Sequence, residues 1–270
     1  MKYIIHVLIF SLFSLASCQN NVGNQELNKI DALIKLFPDS ALHLLDSMKI
    51  SSYELYDQNR FFLYRVQAKD LSKKDITMDK EILDVYKYFK DNKSEDLSGL
   101  AAFYSGRVLH SRKNYDEAII YYKIAETNAI SREDKEFHGY TLFWMGMLMI
   151  DQYMMEEAKV KLAEAESLFL QTGNYEYEIK LYNNIGISYL LSEDNDSSIL
   201  YLRKALDLAI KYDDKKEQAK ITQNIGLVFS EKKDFRGAVN TLLKAIAIDS
   251  ACAYFWESLF KLSSNLFRLR

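Results

Sequence analysis

The sequence predicts an all-α protein, and three observations carry that prediction. A single proline, Pro38, and nine glycines in 270 residues leave too little turn chemistry for a fold of many strands. Long stretches rich in Leu, Ala, Glu and Lys favour helix. Four of the nine glycines, Gly106, Gly146, Gly186 and Gly226, recur every forty residues inside apolar helical stretches. Glycine within a helix costs about 1 kcal/mol relative to alanine, so recurrence in register points to close packing. At 49% hydrophobic and 27% charged, the composition is that of a soluble globular chain able to bury a core.

The first element stands apart from that fold. "MKYIIHVLIFSLFSLAS", residues 1–17, has a basic start, an apolar run and then small residues, the pattern of a secretory leader that is cleaved. Leu15-Ala16-Ser17-Cys18 resembles the lipobox of bacterial lipoproteins, which implies that Cys18 is lipidated and becomes the acylated N-terminus. Each buried CH₂ of such a chain contributes about 0.8 kcal/mol, so two or three chains tether a protein stably without spanning the bilayer. Cys18 and Cys252 are the only cysteines, so stability in an exported chain must come from packing rather than disulfides. Removing Lys2 with the leader leaves 34 basic against 38 acidic side chains, a net charge of −4 that gives nucleic acid no footprint.

Residues 18–28 are polar and aperiodic and read as a flexible tether. Residues 29–95 read as degenerate helical pairs. "ELNKIDALIKLF" is followed by "PDSALHLLDSM", with Pro38 at a helix start where its missing N–H is harmless, and residues 54–71 pair with residues 78–92, with Val66 at the glycine position.

Residues 96–250 hold four units of the forty-residue period. Twelve residues after each glycine come Ala118, Ala158, Ser198 and Ala238; sixteen after come Tyr122, Leu162, Leu202 and Leu242; nineteen after come Ala125, Ala165, Ala205 and Ala245. Leu109, Met149, Tyr189 and Phe229 stand one turn beyond the glycines. A first helix thus carries Gly and a bulky residue, and a second carries small-large-small. This pattern, with "NYDEAIIYYKIAE" as its best example, resembles the tetratricopeptide repeat (TPR), which implies a right-handed α-solenoid of stacked helix-turn-helix units, about 13 helices in all. On this reading each grid glycine lets its backbone approach the Ala or Ser of the paired helix. Residues 251–270, with Trp256 and Leu259 at family positions, are expected to form a C-terminal capping helix; Glu257 and Lys261 argue against its crossing a membrane.

The lipobox, the "FPDSALHLLDSM" segment and the repeats together resemble TPR lipoproteins of the Bacteroidetes type. In that group an acidic cluster directly after the Cys favours the cell surface. Here the first acid is Glu26, which implies a lipid-anchored cell-envelope protein on a periplasm-facing membrane. Some related chains continue into the DNA-binding domain of a regulator, which motivates an alternative role as the ligand-sensing component of a signalling system.

Catalytic signatures such as G-x-x-x-x-G-K, G-x-S-x-G, H-E-x-x-H and C-x-x-C do not occur, and His43, His110 and His138 fall in different helices. The sequence therefore predicts a non-catalytic scaffold without cofactor or metal, which binds a protein or peptide on the concave wall of its first helices. The candidate binding residues are Arg107, Tyr140, Phe143, Lys180, Asn183, Asn184, Lys220, Gln223 and Asn224. Asn suits a peptide backbone, and Lys or Arg suits its carboxylates. Lys180, Asn184, Lys220 and Asn224 resemble in type part of the clamp with which some TPR proteins hold a C-terminal carboxylate. Of the many aromatic residues, Tyr115, Tyr121, Tyr122, Trp144, Tyr175 and Tyr177 are assigned to packing, and Tyr140 and Phe143 to partner contact.

Overall fold

The computed structural model describes residues 25–249, and every regular element among them is helical. Residues 25–34 form α1. There follow α2 (Pro38–Ser47), a short 3-10 turn (Ile50–Ser52), α3 (Leu55–Leu71), α4 (Ile82–Asp91), α5 (Glu95–Ser111), α6 (Tyr115–Ser131), α7 (Lys135–Asp151), α8 (Met155–Thr172), α9 (Tyr175–Leu191), α10 (Asn195–Lys211), α11 (Lys215–Glu231) and α12 (Phe235–Ile248). The leader at 1–17, Cys18, most of the tether, Cys252 and the helix expected at 251–270 lie outside the described residues. No helix among the described residues is long and apolar enough to cross a membrane.

The forty-residue period is twice twenty. The helices α5, α6, α7, α9, α10 and α11 each have 17 residues and are followed by a three-residue linker. Helix α8 has 18, and its linker is shortened to Gly173 and Asn174. Every linker from the end of α3 onward carries one left-handed residue, at Lys73, Lys93, Lys113, Glu133, Tyr153, Gly173, Glu193, Asp213 and Lys233, with φ between 54° and 67°. In eight of the nine the next backbone N–H reaches back to the carbonyl five residues earlier, as in Asn114 N–H to Leu109 and Asp234 N–H to Phe229, both at 2.9 Å, while Lys113 N–H reaches His110 at 2.8 Å. This pair of bonds is the Schellman closure of a helix C-terminus. From Lys93 onward the residue after the left-handed one is also the N-cap of the next helix. Asp134, Asn174, Asp194, Asp214 and Asp234 accept the backbone N–H three residues on, at 2.9–3.3 Å.

The chain forms two compact units that divide between Arg132 and Glu133, after the first of the four forty-residue repeats. In the N-terminal unit α3 packs on α2, α4 and α5, and α5 packs on α4 and α6. A polar knot ties its start together: the buried Arg60 guanidinium donates to Asp57, to the Tyr64 hydroxyl and, at 2.6 Å, to Asn28 of α1. In the C-terminal unit α7, α9 and α11 pack side by side, and each also packs on its partner, α8, α10 or α12.

The two helix classes bury different amounts of themselves. First helices bury seven to eleven of their 17 residues, whereas second helices bury one stripe: Ala118, Tyr122, Ala125 and Ala129 in α6; Ala158, Leu162, Ala165 and Phe169 in α8; Ser198, Leu202, Ala205 and Ala209 in α10; Ala238, Leu242 and Ala245 in α12. These are the small-large-small positions of the sequence, extended by one turn to a fourth position that the sequence reading did not assign.

What the grid glycines avoid differs from the expectation. A Cβ on Gly186 would stand 2.6 Å from Leu202 Cγ and 3.2 Å from the Leu202 backbone nitrogen; on Gly146 it would meet Leu162 at 2.7 Å, and on Gly106 it would meet the Tyr122 ring at 2.7 Å. The collision is with the large residue sixteen positions on. The backbone carbonyl of Ala158, and likewise that of Ala238, lies 3.5 Å from its glycine's would-be Cβ, an ordinary contact. Ser198 does more than fit: its hydroxyl donates to the Gly186 carbonyl at 2.7 Å.

Gly226 is the loosest of the four, with Leu242 side-chain atoms at 3.1 Å, so Gly226→Ala should be near neutral. Gly186→Ala should instead lose about 1–3 kcal/mol to overpacking, outweighing alanine's helical advantage of about 1 kcal/mol, as read by urea unfolding. The Tyr153–Met154 linker has neither glycine at its left-handed position nor a capping side chain, and Tyr153 is 85% exposed. Tyr153→Gly and Met154→Asp should each stabilise by about 1 kcal/mol, a rise in melting temperature of roughly 2–4 °C.

Candidate functional site

The nine candidate residues fall in two places. Arg107 lies in the N-terminal unit, where its guanidinium meets Asp70 of α3 through two hydrogen bonds of 2.9 and 2.6 Å, with both side chains about nine-tenths buried. This arginine is a structural ion pair, and its expected presentation to a ligand is corrected on that account. The other eight lie on α7, α9 and α11 of the C-terminal unit.

Those three helices share a half-buried stripe on the side away from their glycines: Tyr140, Trp144 and Met147; Lys180, Asn184 and Ile187; Lys220, Asn224 and Leu227. Five of the expected residues are here. Phe143, Asn183 and Gln223, one position to the side, are buried. Their expected exposure is also corrected, because at this register the side chain enters the space between neighbouring first helices. Asn183 shows the consequence: its side-chain oxygen accepts from Asn224 Nδ2 at 2.7 Å, joining α9 to α11, while its own Nδ2 is buried without a hydrogen-bond partner among the described residues.

Sequence reasoning missed Trp144, Met147, Ile187 and Leu227. The signal was present, since these positions follow Tyr140, Lys180 and Lys220 by four and seven residues, the spacing of one helix face. Met147, Ile187 and Leu227 give the stripe an apolar end opposite its basic one, and Trp144 stands beside the two asparagines between them.

Most polar groups of the stripe are lightly held. Asn184 Nδ2 donates to its own helix at the Lys180 carbonyl, 2.9 Å away. The Lys220 ammonium meets Glu217 at 3.1 Å, and the Lys180 ammonium lies 4.8 Å from the centroid of the Tyr177 ring. Tyr177 is wedged between Tyr140, at 4.9 Å, and Phe169, at 5.3 Å. Burial, then the neighbouring Tyr140 and the acids Glu136 and Glu176, push its hydroxyl far above the usual tyrosine range, so it stays protonated and can donate. The arrangement offers two ammonium groups, amides and aliphatic surface. Such a set can bind a chain bearing carboxylates, and it contains no base and nucleophile in contact.

Stability separates the two places. Arg107→Ala strands a buried Asp70 and should cost about 3–5 kcal/mol, whereas Asn184→Ala should change stability by less than about 0.5 kcal/mol, as measured by chemical denaturation.

Comparison with known proteins bears on the fold. Residues 177–251 match the Tetratricopeptide repeat family. No curated protein sequence matches the chain. Among solved structures, the apo form of RapI superposes with a TM-score of 0.68 at 17% identity, over 90% of this chain and 70% of that one. The apo quorum sensor NprR from B. thuringiensis gives 0.66 at 15% identity, over 99% and 77%. A Rap protein complexed with competence and sporulation factor gives 0.62 at 18% identity, over 90% and 70%. At these identities the likeness is one of fold. The chain therefore shares a TPR-like helical-repeat fold with these proteins, and its match to the tetratricopeptide repeat is confined to residues 177–251.

Proposed function

We propose that this protein is a non-catalytic interaction module, held at a cell-envelope membrane through lipidated Cys18, which binds an extended segment of a protein or peptide on the first-helix stripe of its C-terminal unit. The observation that carries the reading is the stripe itself. Three successive helices present Tyr140, Lys180 and Lys220, then Trp144, Asn184 and Asn224, then Met147, Ile187 and Leu227, so equivalent positions repeat at the helix-to-helix spacing. A ligand lying across the helices meets carboxylate partners at one edge, amides along the middle and aliphatic surface at the other.

A second reading, as the sensing component of a signalling system, is favoured by one observation. The similar structures include a quorum sensor and a Rap protein complexed with a sporulation factor. Both readings use the same stripe and differ in whether the ligand is a stable partner or a free peptide.

The test is a photo-crosslinking residue placed at Ile187 in intact cells, with the same residue at exposed Lys215 as control. A discrete adduct at 187 that Lys180→Glu/Lys220→Glu abolishes, with none at 215, is expected. Its mass separates a protein partner from a peptide. Equal labelling at both positions, or an adduct indifferent to the lysines, contradicts the site. Cys18→Ala should release the protein from the membrane fraction, and retention there would contradict the anchor.

A further inference from the structure

The second helices of the C-terminal unit bury one stripe and turn another outward, and the outward stripe is not the polar surface that solvent favours. In α8 it reads Val160, Ala163, Ser167 and Leu170, and in α10 Leu200, Arg203, Asp207 and Ile210, all of them exposed. The four aliphatic residues at the stripe ends are each 55–58% exposed. In the N-terminal unit α6 repeats the aliphatic ends as Ile120 and Ile130, each 56% exposed. A lone exposed Leu means little, but aliphatic residues at the same two positions of successive helices form a pattern. The spacing of three, four and three residues is that of the seam along which two helices pack as a coiled coil.

Each stripe is nearly symmetric about its middle. Reversing α10 places Leu200 against Ile210 and Arg203 against Asp207, and reversing α8 places Val160 against Leu170 and Ala163 against Ser167. The charges of α10 make the same point. Asp196 pairs with Lys232 at 2.9 Å, Lys204 lies over the Tyr182 and Tyr201 rings at 5.3 and 4.9 Å, and Lys211 lies over Tyr212 at 5.1 Å. Arg203 and Asp207 make no ion pair among the described residues. In α8 the acid beside the seam, Glu164, is held by Lys161 at 3.0 Å. Small Ala163 and Ser167 leave room for a facing backbone to come close.

We propose that this face binds a second copy of the same chain, with α8 and α10 lying antiparallel against their own counterparts about a two-fold axis. Arg203 then meets the partner's Asp207 in two equivalent pairs flanking the axis, and the aliphatic ends close the contact on either side. A self-matched face is what an isologous dimer requires, since every residue must suit both itself and its rotated image. The contact lies on the second helices and leaves the first-helix stripe open, so it is separate from the proposed ligand site.

Sedimentation velocity of the full chain in a density-matched detergent tests this, with circular dichroism to verify helicity. The wild type is expected to sediment as a dimer at micromolar concentration. Arg203→Asp places like charges opposite each other and should raise the dissociation constant at least about tenfold. Arg203→Asp/Asp207→Arg should restore the dimer, and Leu200→Lys should yield monomer with unchanged helicity. A monomeric wild type overturns the proposal, as does a dimer indifferent to both Arg203→Asp and Leu200→Lys. Failure of the double reversal to rescue a broken dimer overturns the antiparallel pairing.

Discussion

The contact between each grid glycine and the large residue sixteen positions later fixes the rest of the structure. Where Gly186 meets Leu202, no Cβ could fit without moving a side chain that is fully buried. That contact sets how closely a first helix lies on its second, and so which residues of the first helix remain for neighbours and for solvent. Interiors packed at crystal density do not absorb such a change smoothly, so the register repeats without drift. The linkers serve the same end. A single turn conformation, used in every linker from Lys93 onward, closes one helix and caps the next with adjacent residues, which keeps the repeat at twenty residues whatever the local sequence.

This division of labour explains how function can be added to the scaffold. Second helices commit three or four positions to the core, and first helices seven to eleven of their 17. What remains on the first helices is a narrow stripe whose chemistry is free to vary from repeat to repeat. In the C-terminal unit it varies from tyrosine to lysine to lysine at one level and from tryptophan to asparagine to asparagine at the next. In the N-terminal unit the position equivalent to Met147, Ile187 and Leu227 is Arg107, which is committed to Asp70, so that position serves structure there.

Much of the fold was legible in the sequence because a forty-residue glycine period and a small-large-small set are long-range signals that single residues cannot mimic. The helix pairs at 54–71 and 78–92 were legible as well, although α4 begins at Ile82, after a turn that holds the Lys69–Asp79 ion pair of 2.7 Å. The twenty-residue linker period was hidden, because eight of the nine left-handed residues are not glycine and no residue type marks them. The site was half legible. Tyr140, Lys180, Asn184, Lys220 and Asn224 are on the open stripe, but Phe143, Asn183 and Gln223 stand about one hundred degrees around the helix from Trp144, Asn184 and Asn224. Polarity alone could not tell Asn183, which bonds to its neighbouring repeat, from Asn184 beside it.

The contact on which most of the packing depends is that of Gly186 with Leu202. A double-mutant cycle of Gly186→Ala and Leu202→Ala, read by urea unfolding, measures this directly. If the contact sets the register, the alanine methyl at 186 fits the space vacated at 202, and the loss caused by Gly186→Ala should vanish or reverse in the Leu202→Ala background. Losses that simply add would show that the glycine is there for another reason, and would contradict the packing from which the rest of the structure is derived.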